Sequence, residues 1–154
     1  MKLSNNTINK LIKKNISLSV IESCTGGLLT DTIIKNKGVS KIFKVGLITY
    51  SNESKSSYLN ISKNIIQKYG AVSNNIADLM VSKLQKKEKS ELTISTTGIA
   101  GPEGGTKNKP VGLVYIGIIY KKNKKIYKKN FKGSRRQIQK KIVEYIFTKI
   151  NNLI

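Results

Sequence analysis

The chain of 154 residues contains no histidine and only one cysteine, Cys24. The absence of histidine excludes Ser-His-Asp and Cys-His catalysis and removes most transition-metal sites. A single cysteine cannot form an internal disulfide or supply a cysteine-based zinc site. A hydrolytic nucleophile in this chain therefore needs another activating base, and lysine is the obvious candidate.

Long apolar segments are absent as well. The sequence has no apolar run of about 18 residues, so we expect no transmembrane helix and no membrane partner. The N-terminus lacks the continuous apolar segment of a signal peptide, which favours a cytoplasmic protein. The length suits one domain, which we expect to span residues 1–154.

Acidic residues are scarce, with 8 Asp and Glu against 29 Lys and Arg and a net charge of +21. Such a charge first suggests a nucleic-acid partner. The lysines are spread over the whole chain, however, and their abundance together with Ile and Asn is typical of an AT-rich genome. We therefore favour a solvated basic surface and expect no nucleic-acid partner. The only arginines are Arg135 and Arg136, and a guanidinium fork suits phosphate or carboxylate.

The hydrophobic pattern alternates between helical and strand periods along the chain. This order predicts an α/β sandwich whose mixed sheet has parallel strands first and an antiparallel hairpin last. Gly38 is predicted to cap the C-terminal end of the helix expected at 25–35. Predicted strands cover 17–21, 43–50, 92–96, 111–120 and 126–131, and predicted helices cover 3–14, 25–35, 55–59, 62–69, 73–87 and the segment after 134.

The segment E-S-C-T-G-G at 22–27 is a small polar turn between an apolar strand and a helix. A hydroxyl at the end of that strand, on Ser23, can point into a cleft. The N–H groups of Thr25, Gly26 or Gly27 would then form an anion or oxyanion site. The alternative is an ordinary polar turn that caps a helix. Cys24 is a rival nucleophile, but no histidine can activate it and small buried cysteines usually serve packing.

A second group of residues is predicted to reach the same place. Tyr50 ends a strand and Lys55 lies about one turn further on, so both can reach the crevice at the strand ends. A lysine that serves as a base must have its pKa lowered from about 10.4 towards neutrality, by desolvation or nearby positive charge. Spacing alone equally allows Lys55 to be an ordinary surface lysine.

The loop T-G-I-A-G-P-E-G-G at 97–105 is rich in small residues. Such a loop lets a ligand approach the backbone closely. It matches neither the P-loop nor the dinucleotide fingerprint. We expect it to face the turn at 22–27 across one site, although a long exposed connection would have the same composition.

Six segments, in order across nearly the whole chain, resemble the CinA C-terminal domain family, whose enzymatic members are nicotinamide-nucleotide amidohydrolases. The resemblance implies a three-layer α/β/α sandwich that hydrolyses the carboxamide of nicotinamide mononucleotide (NMN) to nicotinic acid mononucleotide and ammonia. It implies no cofactor and no metal, and it leaves homo-oligomerisation open. The segments are E-S-C-T-G-G (22–27), G-L-I-T-Y-S-N-E-S-K (46–55), Y-G-A-V-S (69–73), T-G-I-A-G-P-E-G-G-T (97–106), K-P-V-G (109–112) and F-K-G-S-R (131–135).

The residues of the family site fall on residues of this chain. The resemblance implies a serine nucleophile assisted by a tyrosine and a lysine, here Ser23, Tyr50 and Lys55. We expect the nucleotide phosphate near Arg135. The residues expected to bind substrate are Thr25, Gly26, Gly27, Thr97, Gly98, Ala100, Gly101 and Arg135.

The chain departs from the family pattern near its C-terminal helix. The family commonly reads G-D-R with a second arginine further on, whereas this chain has Gly133-Ser134-Arg135 and then Gln139. If the second arginine contacts phosphate, binding is weaker here or Arg136 compensates. Larger family members carry an extra N-terminal domain, so we expect a stand-alone form.

Two other functions stay open at this point. One is a non-catalytic nucleotide- or DNA-binding module of the competence type, with the basic hairpin at Lys121–Lys129 carrying the function. The other is an amidase for a different carboxamide.

Overall fold

A computed structural model gives the fold and describes residues 2–154. A five-stranded sheet with the order β2-β1-β3-β4-β5 lies at its centre. The strands are β1 (Leu18–Glu22), β2 (Phe43–Ile48), β3 (Leu92–Gly98), β4 (Leu113–Tyr120) and β5 (Asn123–Asn130). The helices are α1 (Lys2–Lys13), α2 (Leu28–Ile34), α3 (Asn52–Leu59), α4 (Lys63–Tyr69), α5 (Asn74–Glu88) and α6 (Arg135–Asn151), with a 3₁₀ helix at Val39–Lys41.

The sheet is mixed, as predicted. Strand β1 runs parallel to both β2 and β3, whereas β3, β4 and β5 are antiparallel neighbours. The C-terminal ends of β1, β2 and β3 therefore meet at one edge of the sheet. Open α/β sheets bind ligands in the crevice beyond such strand ends.

Helices cover both faces of the sheet and complete the α/β/α sandwich. Helices α1, α2 and α6 contact one another on one face, while α5 packs on the other against β1, β3 and β4, with α3 and α4 beside it. Each face has its own buried apolar cluster. The first cluster includes Ile8, Leu11, Leu29, Ile142 and Ile146, and the second includes Ile21, Leu59, Ile66, Ile76 and Met80.

Capping residues explain where several helices begin. The Ser73 hydroxyl accepts a hydrogen bond from the Ile76 N–H at 3.2 Å, which starts α5 as predicted. At the start of α6, the Gln137 side chain accepts from the Ser134 N–H at 2.8 Å.

No helix within residues 2–154 is long and apolar enough to cross a membrane.

Several boundaries differ from the predictions, and the structure shows a local cause for three of them. Helix α2 begins at Leu28 instead of Thr25, because the preceding residues form a turn that ends at Gly27 with φ of 93°. The prediction that Gly38 caps α2 is wrong, since α2 ends at Ile34 and Gly38 instead precedes the 3₁₀ helix.

The third difference is the hairpin between β4 and β5, whose turn is shorter than the predicted 121–125. Strand β5 starts at Asn123, and Lys121 turns the chain with φ of 55°. The lysines that suggested a longer turn lie on an edge strand, where charged side chains reach water without leaving the sheet.

Candidate active site

The turn after β1 carries Ser23, which is 8% exposed. Its N–H lies 3.4 Å from the Thr96 hydroxyl on the neighbouring strand β3. The same Thr96 oxygen lies 2.8 Å from the Thr25 hydroxyl. Thr96 thus ties both ends of the turn to the centre of the sheet, which fixes the backbone around the serine.

Glu22, the last residue of β1, is fully buried and caps α2. Its Oε2 accepts from the N–H groups of Gly27 at 3.0 Å and Leu29 at 3.1 Å. Its Oε1 accepts from the N–H of Thr30 at 2.7 Å and from the Thr30 hydroxyl at 2.6 Å. An internal carboxylate therefore satisfies the positive end of the helix, where anions are stabilised. This end is not open to an anionic substrate.

Two of the three N–H groups that the sequence predicts as anion donors, those of Gly26 and Gly27, are occupied within the turn. The Gly27 N–H binds Glu22 and the Gly26 N–H binds the Ser23 carbonyl at 3.1 Å, so neither is left for a ligand. Within residues 2–154, the N–H groups of Cys24 and Thr25 have no oxygen acceptor. These two N–H groups are the donors that remain next to the serine.

Lys55 reaches the serine from the other side of the cleft. The Ser51 hydroxyl caps α3 by accepting from the Ser54 N–H at 3.0 Å, and Lys55 follows in the first turn. Its side chain is 1% exposed, and its Nζ lies 3.1 Å from the Ser23 Oγ. Nζ also donates to the carbonyls of Thr49 at 2.8 Å and Tyr50 at 3.4 Å.

The surroundings of Lys55 favour its neutral form. Burial lowers the pKa of this amine from its usual value, and only the neighbouring Cys24 acts in the other direction. Among the described residues, Lys55 forms no salt bridge with a carboxylate. In the structure Nζ donates to the Ser23 Oγ as well as to the two carbonyls. A neutral amine has two N–H bonds, enough for the two carbonyls, and its lone pair would then face the Ser23 hydroxyl.

Tyr50 lies in the wall of the cleft but does not link Ser23 to Lys55 through its hydroxyl. The ring is 60% exposed, and the phenol oxygen accepts from the Arg135 Nη2 at 2.7 Å. The Arg135 Nη1 donates to the Gly101 carbonyl at 2.9 Å. No hydrogen bond joins the Tyr50 hydroxyl to Ser23 or Lys55 in residues 2–154, so the phenol does not contact the serine that the resemblance implies it assists.

The loop after β3 forms the opposite wall, as the sequence predicts. Thr97 is buried and its hydroxyl donates to the Ala71 carbonyl at 2.7 Å, so it anchors the loop and has no free hydroxyl hydrogen for a ligand. The cleft between the loops has a volume of about 270 Å³. The lining residues include Ser23, Cys24, Tyr50, Asn52, Lys55, Thr97, Gly98, Ala100, Gly101, Glu103 and Arg135.

Comparison with known protein families identifies the family of this chain. The model of the CinA C-terminal domain matches residues 1–154. The chain belongs to the CinA C-terminal domain family. The resemblance seen in the sequence motifs is thereby confirmed.

Curated relatives carry competence-damage names. The chain is 47% identical over 133 residues to a competence-damage inducible protein of Clostridium novyi, covering 86% of this chain and 32% of that protein. It is 48% identical over 130 residues to one from Clostridioides difficile, covering 84% of this chain and 31% of that protein. The chain thus spans about a third of the length of the curated relatives it matches.

Solved structures of the CinA superfamily share the fold. A Klebsiella pneumoniae protein superimposes with a TM-score of 0.92 at 23% identity, covering 98% of this chain and 94% of that one. An Escherichia coli protein gives a TM-score of 0.91 at 26% identity, covering 99% and 88% of the two chains. The fold is therefore that of the CinA domain.

Two residues of this CinA domain differ from their expected places. The Gln139 amide is buried and donates to the Cys24 carbonyl at 3.0 Å, so it faces the turn at 22–27 and not the cleft. Arg136 lines a separate groove between α1, α2 and α6, together with Leu3 and Phe147. Of the two alternatives for the missing arginine, the position of Arg136 outside the cleft favours weaker phosphate binding over compensation by Arg136.

Cys24 lies next to Ser23 in the lining of the cleft. Burial raises the pKa of the Cys24 thiol to about 12, which keeps it protonated at neutral pH. The rival nucleophile is thus an inert thiol beside the serine. Residues 2–154 contain no group of three or more His, Cys, Asp and Glu side chains that could hold a metal ion.

The sequence did not predict the supporting roles of Glu22, Thr96 and Gln139. Each supports the turn around Ser23 through a hydrogen bond. Glu22 had a usable signal, since a carboxylate directly after the apolar run 18–21 must be paired when it is buried. Gln139 and Thr96 had none, because their partners lie far away in the sequence.

Proposed function

We propose that the chain is a serine amidohydrolase that hydrolyses the carboxamide of nicotinamide mononucleotide to nicotinic acid mononucleotide and ammonia. The observation that carries the proposal is the 3.1 Å contact between the buried Lys55 Nζ and the Ser23 Oγ. A nucleophile activated by an adjacent base of lowered pKa is the requirement for this chemistry without histidine. The choice of nicotinamide mononucleotide rests on the family resemblance.

The first half of the reaction acylates the serine. Lys55 Nζ takes the proton of the Ser23 hydroxyl, and Oγ forms a bond to the carboxamide carbon while the carbonyl π electrons move to its oxygen. We assign the stabilisation of the oxyanion to the N–H groups of Cys24 and Thr25, and one such donor is worth about 10²–10³ in rate. When the oxyanion collapses, the C–N bond breaks and Lys55 returns the proton to the leaving nitrogen, which departs as ammonia.

The second half uses the same base. Lys55 Nζ takes a proton from water, whose oxygen attacks the acyl carbon, and the Ser23 Oγ leaves with the proton that Lys55 returns. The product is the free carboxylic acid. The atoms balance as one amide plus one water giving one acid plus one ammonia.

The phosphate of the substrate is assigned to Arg135. Two of its five N–H bonds are used on Gly101 and Tyr50, so three remain for an anion at the mouth of the cleft. A guanidinium suits phosphate because its donors form a planar fork. The capped N-terminus of α2 leaves Arg135 as the main cationic group of the cleft apart from Lys55.

The test is ammonia release from nicotinamide mononucleotide by the purified chain. We expect activity in the wild type, and loss of at least about 10³-fold in Ser23→Ala because the nucleophile is gone. Ser57→Ala is the control, since Ser57 is exposed on α3 and outside the cleft. Absence of ammonia from the wild type, or undiminished activity in Ser23→Ala, contradicts the proposal. Ammonia from another carboxamide in a substrate panel would redirect it to an amidase of different specificity.

A second candidate function is binding of a nucleic acid by the face formed by β5 and α6. Lys129 lies 5.0 Å from the Tyr145 ring, and Lys149 lies 5.3 Å from the Tyr127 ring. No carboxylate pairs with either lysine in the described chain. Basic side chains interleaved with aromatic rings suit single-stranded nucleic acid.

Fluorescence anisotropy with labelled DNA at two salt concentrations tests this second function. Binding that weakens steeply with salt, and that Lys129→Gln with Lys149→Gln reduces, supports it. Unchanged binding in the double variant contradicts it. The two functions use different surfaces, so either result leaves the ammonia assay interpretable.

A further inference from the structure

Gln139 is a buried polar side chain of α6 that reaches the back of the nucleophile turn. It is 8% exposed, and its Nε2 donates to the Cys24 carbonyl at 3.0 Å. Gly26 lies beside this contact, since a Cβ there would be at an ordinary van der Waals distance of 3.7 Å from Nε2. Buried side-chain amides are normally hydrogen-bonded, and the acceptor for Gln139 is the carbonyl of the residue that follows Ser23.

The bond from Gln139 completes the orientation of two consecutive peptides. The Ser23 carbonyl accepts from the Gly26 N–H at 3.1 Å, and the Cys24 carbonyl accepts from Gln139. Both peptides are trans, so each N–H points opposite to the carbonyl of the same unit. The N–H groups thus oriented belong to Cys24 and Thr25, the two without an oxygen acceptor in residues 2–154. A local turn holds the first peptide, and a side chain from a distant helix holds the second.

We propose that Gln139 is a positioning residue, whose hydrogen bond to the Cys24 carbonyl fixes the Thr25 N–H as a donor to the oxyanion. The proposal rests on the proposed serine hydrolase function. A donor fixed beforehand costs no reorganisation when the charge forms, which is the basis of oxyanion stabilisation. Without the bond, the Cys24–Thr25 peptide is held only through its neighbours, by the contact of Thr25 with Thr96 and the bond from Leu28 to the Thr25 carbonyl, and the direction of the Thr25 N–H is less closely fixed.

Kinetics of Gln139→Met test the proposal. Methionine keeps the volume of the side chain and removes the donor. Loss of a whole oxyanion donor costs about 10²–10³ in kcat, so we expect a fall of about 10- to 100-fold for a misdirected donor. KM should change by less than about threefold, because the oxyanion exists only in the transition state. In Gln139→Arg a donor is present again, and we expect recovery to within about fivefold of the wild type.

The matched control is Gln137→Met on the same helix. Gln137 is exposed and accepts from the Ser134 N–H, so its loss weakens the helix cap without touching the turn. We expect an unchanged kcat in this variant. A kcat of Gln139→Met equal to that of the wild type overturns the proposal, and so does failure of Gln139→Arg to recover activity.

Labelling with a fluorophosphonate separates this proposal from the choice of substrate. Ser23 Oγ forms a bond to phosphorus, fluoride leaves, and Lys55 Nζ takes the serine proton, while the phosphoryl oxygen occupies the oxyanion position. If the wild type is labelled but releases no ammonia from nicotinamide mononucleotide, only the assigned substrate fails. Labelling at least about tenfold slower in Gln139→Met, to the same final extent, supports the positioning role. A lower final extent at an unchanged rate indicates a merely structural role and overturns it.

Discussion

Replacement of Lys55 by methionine tests whether Lys55 is the general base of the proposed mechanism. The substitution keeps an unbranched side chain of similar length and removes the amine 3.1 Å from the Ser23 Oγ. Methionine adapts well to irregular buried sites, so the first turn of α3 should stay folded. The perturbation is therefore confined to the base and to the two carbonyls that it contacts.

The size of the expected effect follows from the role of the amine. General-base catalysis contributes about 10²–10⁴ in rate, which corresponds to about 2.7–5.4 kcal/mol of transition-state stabilisation. We expect kcat for ammonia release to fall in this range, with KM changed little because the amine contacts the nucleophile and not the bound nucleotide. Stability changes through two opposed terms, the removal of a desolvated amine and the loss of donors to Thr49 and Tyr50.

The pH profile gives the sharper readout. Only neutral Lys55 can accept the serine proton, and burial lowers its pKa. We therefore expect kcat/KM of the wild type to rise with pH and to level off below the usual lysine pKa of about 10.4. Lys55→Arg puts in its place a guanidinium that keeps its proton throughout this pH range, so it should lack both the rise and the activity.

Urea unfolding at several pH values checks the same pKa independently. A lysine with a lowered pKa in the folded state penalises folding fully below that pKa. The penalty disappears as the pH rises through the unfolded value of about 10.4. Lys55→Met removes the penalty, so its stability relative to the wild type should be greatest at low pH and decrease as the pH rises. Retention of kcat within tenfold of the wild type in Lys55→Met would refute Lys55 as the base.

Three further variants test other contacts of the site. Glu22→Gln should lower the free energy of urea unfolding by about 1–3 kcal/mol, because an amide cannot accept from all four donors, whereas exposed Glu144→Gln should stay within about 0.5 kcal/mol. Cys24 should resist alkylation at pH 8 in the folded chain and react in urea, since its pKa is about 12; rapid reaction of the folded thiol would contradict this. Arg135→Ala should raise KM for nicotinamide mononucleotide about 10-fold or more and leave that for the phosphate-free riboside unchanged, and equal effects on both substrates would argue against a phosphate contact.

The fold followed from the sequence where periodicity was strong. The apolar spacing of α1, α5 and α6 and the hairpin order predicted the mixed sheet and its layers. The boundaries failed where a tertiary contact decides them. Helix α2 starts late because the turn before it ends at Gly27 with a positive φ, and the Glu22 carboxylate caps the helix at that point. The spacing of apolar residues along the sequence does not reveal a hydrogen bond between a side chain and a helix end.

The candidate site was partly predictable for the same reason. The strand-end rule brings Ser23 and Lys55 to one crevice, and the structure places their side chains in contact. The orientation of the N–H groups that we propose as oxyanion donors was not predictable. It depends on Thr96 and Gln139, which are 73 and 115 residues away from their partners in the turn. Only the folded chain brings such pairs together.

The scarcity of ion pairs has a consequence for how the chain responds to its solvent. Of its 29 cationic side chains, only Lys35 and Lys124 form salt bridges with carboxylates among residues 2–154. Folding therefore gathers like charges into a small volume, and self-repulsion opposes the compact state. Ions screen such repulsion over a Debye length of about 10 Å at 0.1 M salt. Moderate salt should thus stabilise this fold, the reverse of the behaviour of a protein held together by surface ion pairs.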